Sequence, residues 1–296
     1  MRSLKYDALR RLIDSLLWLT AKMSLHFSRS IFSLLADLGF RLLKSERMRV
    51  IRNLKLIYPE WTPSQQIGFT RKVFKNVGLN AADFFYSINH FREMESSDLL
   101  QIHGRQNLQQ AFEKGRGVLV ISCHLGAFEL IGSYCAMHFP TSAVGRKLKS
   151  KALDEMLVNN RRDRGIDYSH REKSGFRLLR ALKEGHLVIM LMDQDSDKLK
   201  STFCNFMGHP AATPVGPALL VQRSKCVVLP IVMHLENGRQ ILTIGHEIEM
   251  QDSGRKEDDL HVNTQEMTDA LEQYIKKNPE QWMWMHERWK RQPAKE

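Results

Sequence analysis

The segment VLVISCHLGAFEL at residues 118–130 joins an apolar run to a polar turn and a helical segment, and this order indicates the fold class. Its first four residues are apolar and three of them are β-branched, which is typical of a strand buried on both faces of a sheet. A helix is predicted from about Ala127 to Met137. Strands of this kind occur in parallel sheets that helices cover on both sides, so the stretch indicates an α/β fold.

Two later apolar runs repeat this pattern along the chain. LVIMLM (187–192) and VVLPIVM (227–233) predict further buried strands, and Gln240–Ile248 predicts an edge strand. Helices are predicted from a capping box at 62–65 to about 92, and at about 152–164, 175–184, 215–224 and 261–277. Because strands alternate with helices, the fold class is α/β, with a largely parallel central sheet flanked by helices.

The first 55 residues form a basic, apolar leader ahead of a single α/β domain at residues 56–296. The leader holds 12 basic and 4 acidic side chains, which accounts for most of the net charge of +11. Charges at Asp14, Lys22, Arg29, Asp37 and Arg41 divide it into uncharged runs far shorter than the roughly 18 residues that a membrane span needs. It also lacks the short apolar core and cleavage site of a secretory signal.

Apolar residues in the leader repeat at helical spacing and form two stripes. The stripes comprise Leu9, Leu12, Ile13, Leu16 and Leu17, then Ile31, Leu34, Leu35, Leu38 and Leu42. One interpretation is a membrane-associating helix that lies on an anionic bilayer, and the other is a helical hairpin packed on the domain. The two are compatible. Since the positive charge concentrates in this apolar segment, we expect an anionic membrane surface as partner and no nucleic acid.

Four cysteines, at positions 123, 135, 204 and 226, show no metal-ligand spacing. So few cysteines in 296 residues indicate a reduced, cytosolic environment rather than a disulfide scaffold.

The candidate catalytic pair is His124 and Glu129, which follow the first buried strand. In a parallel sheet, sites form beyond the carboxyl ends of the strands. With His124 in the turn and Glu129 at the start of the helix, Gly126 supplies the turn's freedom and the carboxylate can hold one imidazole nitrogen. The other nitrogen is then free to act as a base. Such a pair lacks an enzyme nucleophile, so the substrate's own hydroxyl would attack.

Histidine followed five residues later by glutamate occurs three times, as His90/Glu95, His124/Glu129 and His261/Glu266. Only the second pair follows a buried strand and spans a glycine-containing turn, and the other two lie in polar, helix-like stretches. Cys123 precedes His124 on an extended backbone, so their side chains diverge and a cysteine–histidine pair is not expected.

The second buried strand ends in Asp193-Gln194-Asp195. An Asp-x-Asp at this place can bind a divalent metal and a nucleotide diphosphate, as in a glycosyltransferase. It can equally orient an arginine or histidine of a site, or cap a loop. The sequence leaves these alternatives open.

A basic belt lies between the first two buried strands. It comprises Arg146, Lys147, Lys149, Lys151, Arg161, Arg162, Arg164, Arg171 and Lys173. Acidic residues are interspersed, so we interpret most of the belt as a solvated helix surface. Arg146 differs, because it follows the strand-like segment Thr141–Val144, and there we expect contact with an anion.

The chain resembles the bacterial late acyltransferases of lipid A biosynthesis, of the lauroyl and myristoyl type, within the lysophospholipid acyltransferase superfamily. The matching segments are NLKLIYPEWT (53–62), GRGVLVISCHLGAFEL (115–130), GRKLKSKALDEMLVNNRRDRG (145–165), GHLVIMLMDQD (185–195), FMGHPAATPVGPALL (206–220) and PEQWMWMHERWK (279–290). Two features depart from related patterns. Charges interrupt the N-terminal anchor, which is uninterrupted in many members, and the FPEGT-type block of glycerol-3-phosphate acyltransferases is missing.

The resemblance implies that His124 is a general base on an acceptor hydroxyl and that Glu129 orients it. It also implies that Arg146 and Arg164 are substrate-binding residues near the site, and that Asp193 is the acid of the family's DQD motif. Trp282, Trp284 and Trp289 are expected to pack rather than to contact lipid.

The implied reaction moves an acyl group from a thioester, on acyl carrier protein or coenzyme A, to a hydroxyl of a lipid A precursor or a related lipid. It requires no metal or redox cofactor. The expected location is the cytoplasmic face of the bacterial inner membrane, peripheral or shallowly anchored. Two other classes stay open: a metal-dependent glycosyltransferase that uses Asp193 and Asp195, and a membrane-binding protein without catalysis.

Overall fold

A computed structural model describes residues 2–170, 174–195 and 198–294, with side chains from Arg10 onward. The side chain of Leu9 and residues Arg171 and Lys173, which the sequence assigned to an apolar stripe and to the basic belt, lie outside this described part.

In the described chain four helices precede the first strand, and strands and helices then alternate as far as β5. The helices are α1 (Arg2–Lys22), α2 (Leu25–Leu42), α3 (Lys44–Ile57), α4 (Pro63–Ser96), α5 (Arg105–Glu113), α6 (Glu129–His138), α7 (Lys151–Asp163), α8 (Gly175–Lys183), α9 (Gly216–Ser224) and α10 (Lys256–Lys277). The strands are β1 (Leu100–His103), β2 (Val118–Ser122), β3 (Thr141–Gly145), β4 (Asp167–His170), β5 (Leu187–Leu191), β6 (Ser201–Phe206), β7 (His209–Pro214), β8 (Val227–Glu236) and β9 (Arg239–Ile244).

Seven strands form one sheet in the order β1-β9-β8-β2-β5-β3-β4. All neighbouring strands pair in parallel except β8 and β9, which are antiparallel. The predicted α/β class with a largely parallel, helix-flanked sheet is therefore confirmed. The strands β6 and β7 form a separate antiparallel hairpin.

The predicted edge strand near 240–248 is wrong in its position. The strand β9 lies inside the sheet, between β1 and β8, and Gln240 is fully buried. The true outer strand on this side is β1, which has only four residues, LQIH. So short a segment shows no periodicity that a sequence pattern could reveal.

The central strand β2 positions the polar residues that follow it. All five of its residues are buried, and β8 and β5 pair with it on either side. Its register with β5 brings Ser122 opposite Leu191, so both strands end at the same level. Residues just beyond these two ends, His124 and Asp193, therefore meet at one edge of the sheet.

The leader helices pack on the domain through one face. The helix α2 lies along α4, and α1 contacts α4 and α7. Ile13, Leu25 and Phe32 are buried in the main core cluster. The approach is closest at Gly78 of α4, where a Cβ atom would lie 2.6 Å from the carbonyl oxygen of Phe32. This buried face of the leader therefore packs on the domain as the hairpin interpretation predicts.

The opposite face of the leader is exposed and apolar. Its exposed large side chains are Leu12, Trp18, Phe27, Leu34, Leu35, Leu38, Leu42 and Leu43. Within the described residues, no helix combines the length and the apolar character that crossing a bilayer requires.

A buried ion pair fixes α2 to the domain. Asp83 of α4 is fully buried, and Arg29 donates to its two carboxylate oxygens from Nε at 2.6 Å and from Nη2 at 2.7 Å. The Gln240 side-chain amide donates to the same carboxylate, and Arg29 Nη1 donates to the carbonyl oxygen of Gly238 at 2.6 Å. One arginine thus connects α2, α4 and the turn before β9.

Arg29→Ala should lower the free energy of unfolding by about 3–5 kcal/mol, because it leaves the buried Asp83 carboxylate without its cation. Urea unfolding followed by circular dichroism measures the change. Arg41→Ala removes an exposed arginine from the same helix and should change the midpoint little. Equal midpoints for the two variants would contradict the role given to this ion pair.

The three C-terminal tryptophans are buried, as predicted. Trp282, Trp284 and Trp289 pack against one another with ring centroids 5.0–6.3 Å apart, and Phe206 of β6 lies 5.5 Å from Trp282. The C-terminal segment therefore joins the β6–β7 hairpin to the main sheet.

Candidate active site

His124 lies in the turn between β2 and α6, at the carboxyl edge of the sheet. Gly126, two residues later, has φ +58°, and a Cβ atom there would lie 2.4 Å from the carbonyl oxygen of Met233. Only glycine combines this backbone conformation with so close an approach. The turn directs the chain into α6, which begins at Glu129.

Asp193 holds the imidazole of His124. Its Oδ1 lies 2.8 Å from His124 Nδ1, and its Oδ2 accepts the backbone N–H of His124 at 3.0 Å. The prediction that Glu129 orients His124 is therefore wrong, because Asp193 is the residue that holds the imidazole. Adjacent parallel strands end together and bring Asp193 beside His124 across 69 residues of sequence, whereas Glu129 opens α6 and contacts α7.

The Asp193 carboxylate is almost completely buried, at 4% exposure, and is surrounded by donors. Burial by itself raises the pKa of a carboxyl group. Here the charge and hydrogen bonds of His124, together with the indole N–H of Trp282 at 2.8 Å, outweigh it and lower the pKa of Asp193 to about 2. Asp193 therefore stays ionised at neutral pH and can stabilise an imidazolium at His124.

Glu129 is paired with Arg161 of α7. Arg161 donates from Nε to Oε2 at 3.1 Å and from Nη2 to Oε1 at 2.5 Å, and its guanidinium lies 4.5 Å from the centre of the Tyr168 ring. Burial opposes the charge on Arg161, but Glu129 and Tyr168 raise its pKa. This two-point contact fixes both side chains.

A cavity of about 720 Å³ opens beside His124. Its polar lining includes His124, Glu129, Arg146, Arg161, Arg223 and His286. Its apolar lining includes Leu148, Leu157, Ile166, Leu178, Leu179, Ile189, Leu199, Leu219 and Leu220. The catalytic candidates thus border a largely hydrocarbon-lined space of the size that small-molecule sites have.

The structure separates the two arginines predicted to bind substrate. Arg146 follows β3 and lines the cavity together with His124. Arg164, at the end of α7, instead donates to the carbonyl oxygens of Ser87 and Ile88 in α4. It borders a second, smaller cavity formed with α1, so its predicted place beside His124 is wrong.

Both carboxylates of the Asp-x-Asp segment accept hydrogen bonds from side chains. Asp193 binds His124 and Trp282, and Asp195 accepts from Arg291 Nε at 2.7 Å. The sequence left open metal binding, the orientation of an arginine or histidine, and the capping of a loop. The observed contacts match the second of these roles.

The two other histidine–glutamate pairs have different partners. His90 contacts Glu93 at 2.8 Å rather than Glu95, and Glu95 contacts His138 at 2.6 Å. His261 contacts the Thr202 hydroxyl at 2.9 Å. In both places the imidazole is a structural hydrogen-bonding group.

Cys123 is directed away from the site into the second core cluster. It is fully buried, and burial, followed by the Asp193 charge, raises its pKa well above the usual range. The thiolate that a nucleophile requires is therefore disfavoured, in agreement with the expectation that Cys123 and His124 form no catalytic pair.

Sequence reasoning missed three residues of the site. Arg161 belonged to the basic belt but was interpreted as surface, and Trp282 was expected only to pack. His286 lines the cavity, its Nδ1 is buried without a hydrogen-bond partner among the described residues, and burial lowers its pKa. The segment PEQWMWMHERWK carried a signal for the latter two, because it is polar and aromatic yet follows the last helix of the domain.

Comparison with known proteins gives one coherent group. The family model described as bacterial lipid A biosynthesis acyltransferase matches residues 2–291. The lipid A biosynthesis lauroyltransferase of Escherichia coli K12 is 24% identical over 94% of this chain and 90% of its own length. The lipid A biosynthesis palmitoleoyltransferase of the same organism is 25% identical over 83% of this chain and 79% of its own length. The phosphatidylinositol mannoside acyltransferase of Mycobacterium tuberculosis H37Rv is 24% identical over 69% of this chain and 64% of its own length. The chain therefore belongs to the bacterial lipid A biosynthesis acyltransferase family.

Proposed function

We propose that this acyltransferase moves a fatty acyl group from a thioester, carried by acyl carrier protein, to a hydroxyl of a lipid A precursor. The observation that carries the proposal is the position of His124. Its Nδ1 is held by a buried, ionised carboxylate, at the rim of an apolar cavity large enough for a hydrocarbon chain. Family membership supports the reaction class.

His124 acts as the general base in this mechanism. With Nδ1 bonded to Asp193, Nε2 takes the proton from the acceptor hydroxyl while its oxygen attacks the thioester carbonyl carbon. The Asp193 carboxylate stabilises the imidazolium that forms. When the tetrahedral intermediate collapses, the carbon–sulfur bond breaks and the departing thiolate takes the proton from His124, so the enzyme returns to its starting state.

The developing oxyanion needs positive charge or N–H donors. We assign stabilisation of the oxyanion to Arg146, because its cation is exposed on the wall of the cavity that His124 also lines. To the Glu129–Arg161 pair we assign the positioning of the acceptor, because its two-point contact makes a rigid polar wall on the same cavity.

The lining of the cavity and the net charge of the protein support the choice of acyl donor and acceptor. The apolar walls suit the fatty acyl chain, while Arg146 and Arg223 on the cavity suit the phosphate groups of a donor or an acceptor. We favour acyl carrier protein over coenzyme A, since an acidic carrier protein complements the positive net charge. The chemistry requires no metal or redox cofactor.

Another acceptor lipid is the second candidate, because one relative carries the name of a phosphatidylinositol mannoside acyltransferase. Mass spectrometry of lipid A and of phospholipids from cells with and without this gene separates the two. Loss of one acyl chain from lipid A alone supports the first proposal, and loss from a phospholipid alone supports the second.

We place the enzyme peripherally on the cytoplasmic face of the inner membrane. The leader, residues 1–55, is its membrane-associating segment, and residues 56–296 form its acyltransferase domain. The support is the exposed apolar face of α1 and α2, combined with the leader's net charge of +8. Apolar insertion and attraction to anionic lipids then act on the same surface.

His124→Ala should lower kcat by roughly 10²- to 10⁴-fold, the usual contribution of a positioned base. Asp193→Asn should also lower kcat strongly, because the asparagine carries no charge to stabilise the imidazolium, whereas Glu129→Gln should keep weak activity. Acyl transfer from labelled acyl carrier protein measures all three. His261→Ala, from another histidine–glutamate pair, is the control and should stay near the wild-type rate. Near-normal kcat in the His124 variant would end the general-base proposal.

Replacing Leu34 and Leu38 together by serine should reduce recovery of the protein on anionic vesicles. Both side chains are at least half exposed, at 71% and 50%, so the fold does not depend on them, while apolar insertion does. Vesicle sedimentation at low and high salt measures binding, and the rate on detergent-dispersed substrate should stay unchanged.

Ile67→Ser, at an equally exposed apolar residue of α4, controls for a general change in hydrophobicity. The substitutions are preferable to removal of the leader, because removal would uncover the core residues that pack on Ile13, Leu25 and Phe32. Unchanged vesicle binding by the double variant would contradict the membrane role of this face.

A further inference from the structure

The C-terminal segment crosses the catalytic turn as a short backbone bridge. Leu125 and Trp282 form an isolated antiparallel pair. The N–H of Met283 donates to the carbonyl oxygen of His124 at 3.0 Å, and the N–H of Gly126 donates to that of Gln281 at 3.1 Å. The main chain on both sides of Trp282 is thus tied to the main chain on both sides of Leu125.

The side chain of Trp282 completes the environment of Asp193. Its indole N–H donates to Asp193 Oδ2 at 2.8 Å, and the same oxygen accepts the backbone N–H of His124 at 3.0 Å. The other oxygen, Oδ1, faces His124 Nδ1 at 2.8 Å. Three donors on two oxygens fix the plane of the carboxylate.

These donors also decide where a shared proton resides. An indole nitrogen and a backbone N–H can donate but cannot accept. Asp193 Oδ2 must therefore remain an acceptor. Because Asp193 is ionised at neutral pH, with a pKa of about 2, Oδ1 is an acceptor too, and the proton of the hydrogen bond between Oδ1 and His124 resides on Nδ1. The neutral imidazole then presents Nε2 as its acceptor.

We propose that Trp282 is a positioning residue of the catalytic base, whose indole N–H fixes the Asp193 carboxylate and through it the orientation and tautomer of His124. The inference rests on the proposed role of His124 as base. It gives the buried C-terminal segment a part in catalysis in addition to its part in the core.

The packing around Trp282 keeps the indole in place. The ring is 1% exposed, with Trp284 at 5.0 Å, Phe206 at 5.5 Å and Trp289 at 6.0 Å between ring centroids. Trp284 is the matched comparison, because it is equally buried in the same cluster. Its indole donates to the carbonyl oxygen of Pro279 at 2.6 Å, away from Asp193.

Trp282→Phe removes the N–H donor and keeps an aromatic ring. It should lower kcat roughly 10- to 100-fold, the range for a hydrogen bond to a charged group, and leave KM within about 2-fold. Trp284→Phe loses a similar amount of packing and should change kcat less than about 3-fold. Thermal unfolding of the purified full-length variants shows whether the two lose similar stability. Equal losses of kcat in the two variants would overturn the proposal.

A double-mutant cycle tests whether Trp282 acts through Asp193. In the Asp193→Asn background, Trp282→Phe should cost less than about 2-fold further in kcat, since the carboxylate it fixes is gone. A full additional loss in that background would mean that Trp282 acts independently of Asp193, and the proposal would be wrong.

Indole NMR signals provide a test without any tryptophan substitution. Asp193→Asn should move the Trp282 indole proton signal upfield and leave that of Trp284 in place, and an unmoved Trp282 signal overturns the contact. The failures are also distinguishable. A fully active His124→Ala enzyme would contradict the role of His124 as base. An inactive His124→Ala enzyme, together with equal losses of kcat in Trp282→Phe and Trp284→Phe, would contradict only the role of Trp282.

Discussion

A carboxylate buried away from water must be surrounded by donors, and Asp193 meets this requirement with donors from two distant parts of the chain. The turn after β2 supplies the imidazole and a backbone N–H, the end of β5 supplies the carboxylate, and the C-terminal segment supplies an indole N–H. Since the turn after β2, the end of β5 and the C-terminal segment are far apart in sequence, the site exists only when the sheet and the C-terminal segment are both in place. Fold and catalytic geometry therefore depend on one another.

The register of β2 and β5 makes that meeting possible. Both strands are apolar because helices cover both faces of the sheet, and burial fixes their pairing so that they end together. The helices then supply the remainder: α7 brings Arg161 to Glu129 at the start of α6, and α8 and α9 contribute apolar walls to the cavity. The leader covers α4 with one face, and its other face exposes large apolar side chains.

Much of this arrangement was readable in the sequence. The strands β2, β5 and β8 are continuous apolar runs, so their burial shows directly, and His124 stands out by its place after the first of them. The partner of His124 could not be predicted from the sequence, because Asp193 reaches it through the register of β2 and β5 and not through spacing along the chain. Arg161 and Arg164 are three residues apart, yet only Arg161 faces the cavity, since α7 ends at Asp163 and Arg164 turns to α4. The short strands β1 and β4 carried no usable periodicity.

The tautomer of His124 shows whether Asp193 holds this histidine in the state that a general base requires. Nitrogen-15 chemical shifts of the labelled imidazole, assigned by comparison with a His124→Gln variant, report which nitrogen carries the proton in the neutral ring. We expect a protonated Nδ1 bonded to Asp193 and an unprotonated Nε2 directed to the substrate, with this preference weakened in Asp193→Asn. A neutral ring with the proton on Nε2 in the wild-type enzyme would contradict the role of His124 as base, because that nitrogen could not take a proton from an acceptor hydroxyl.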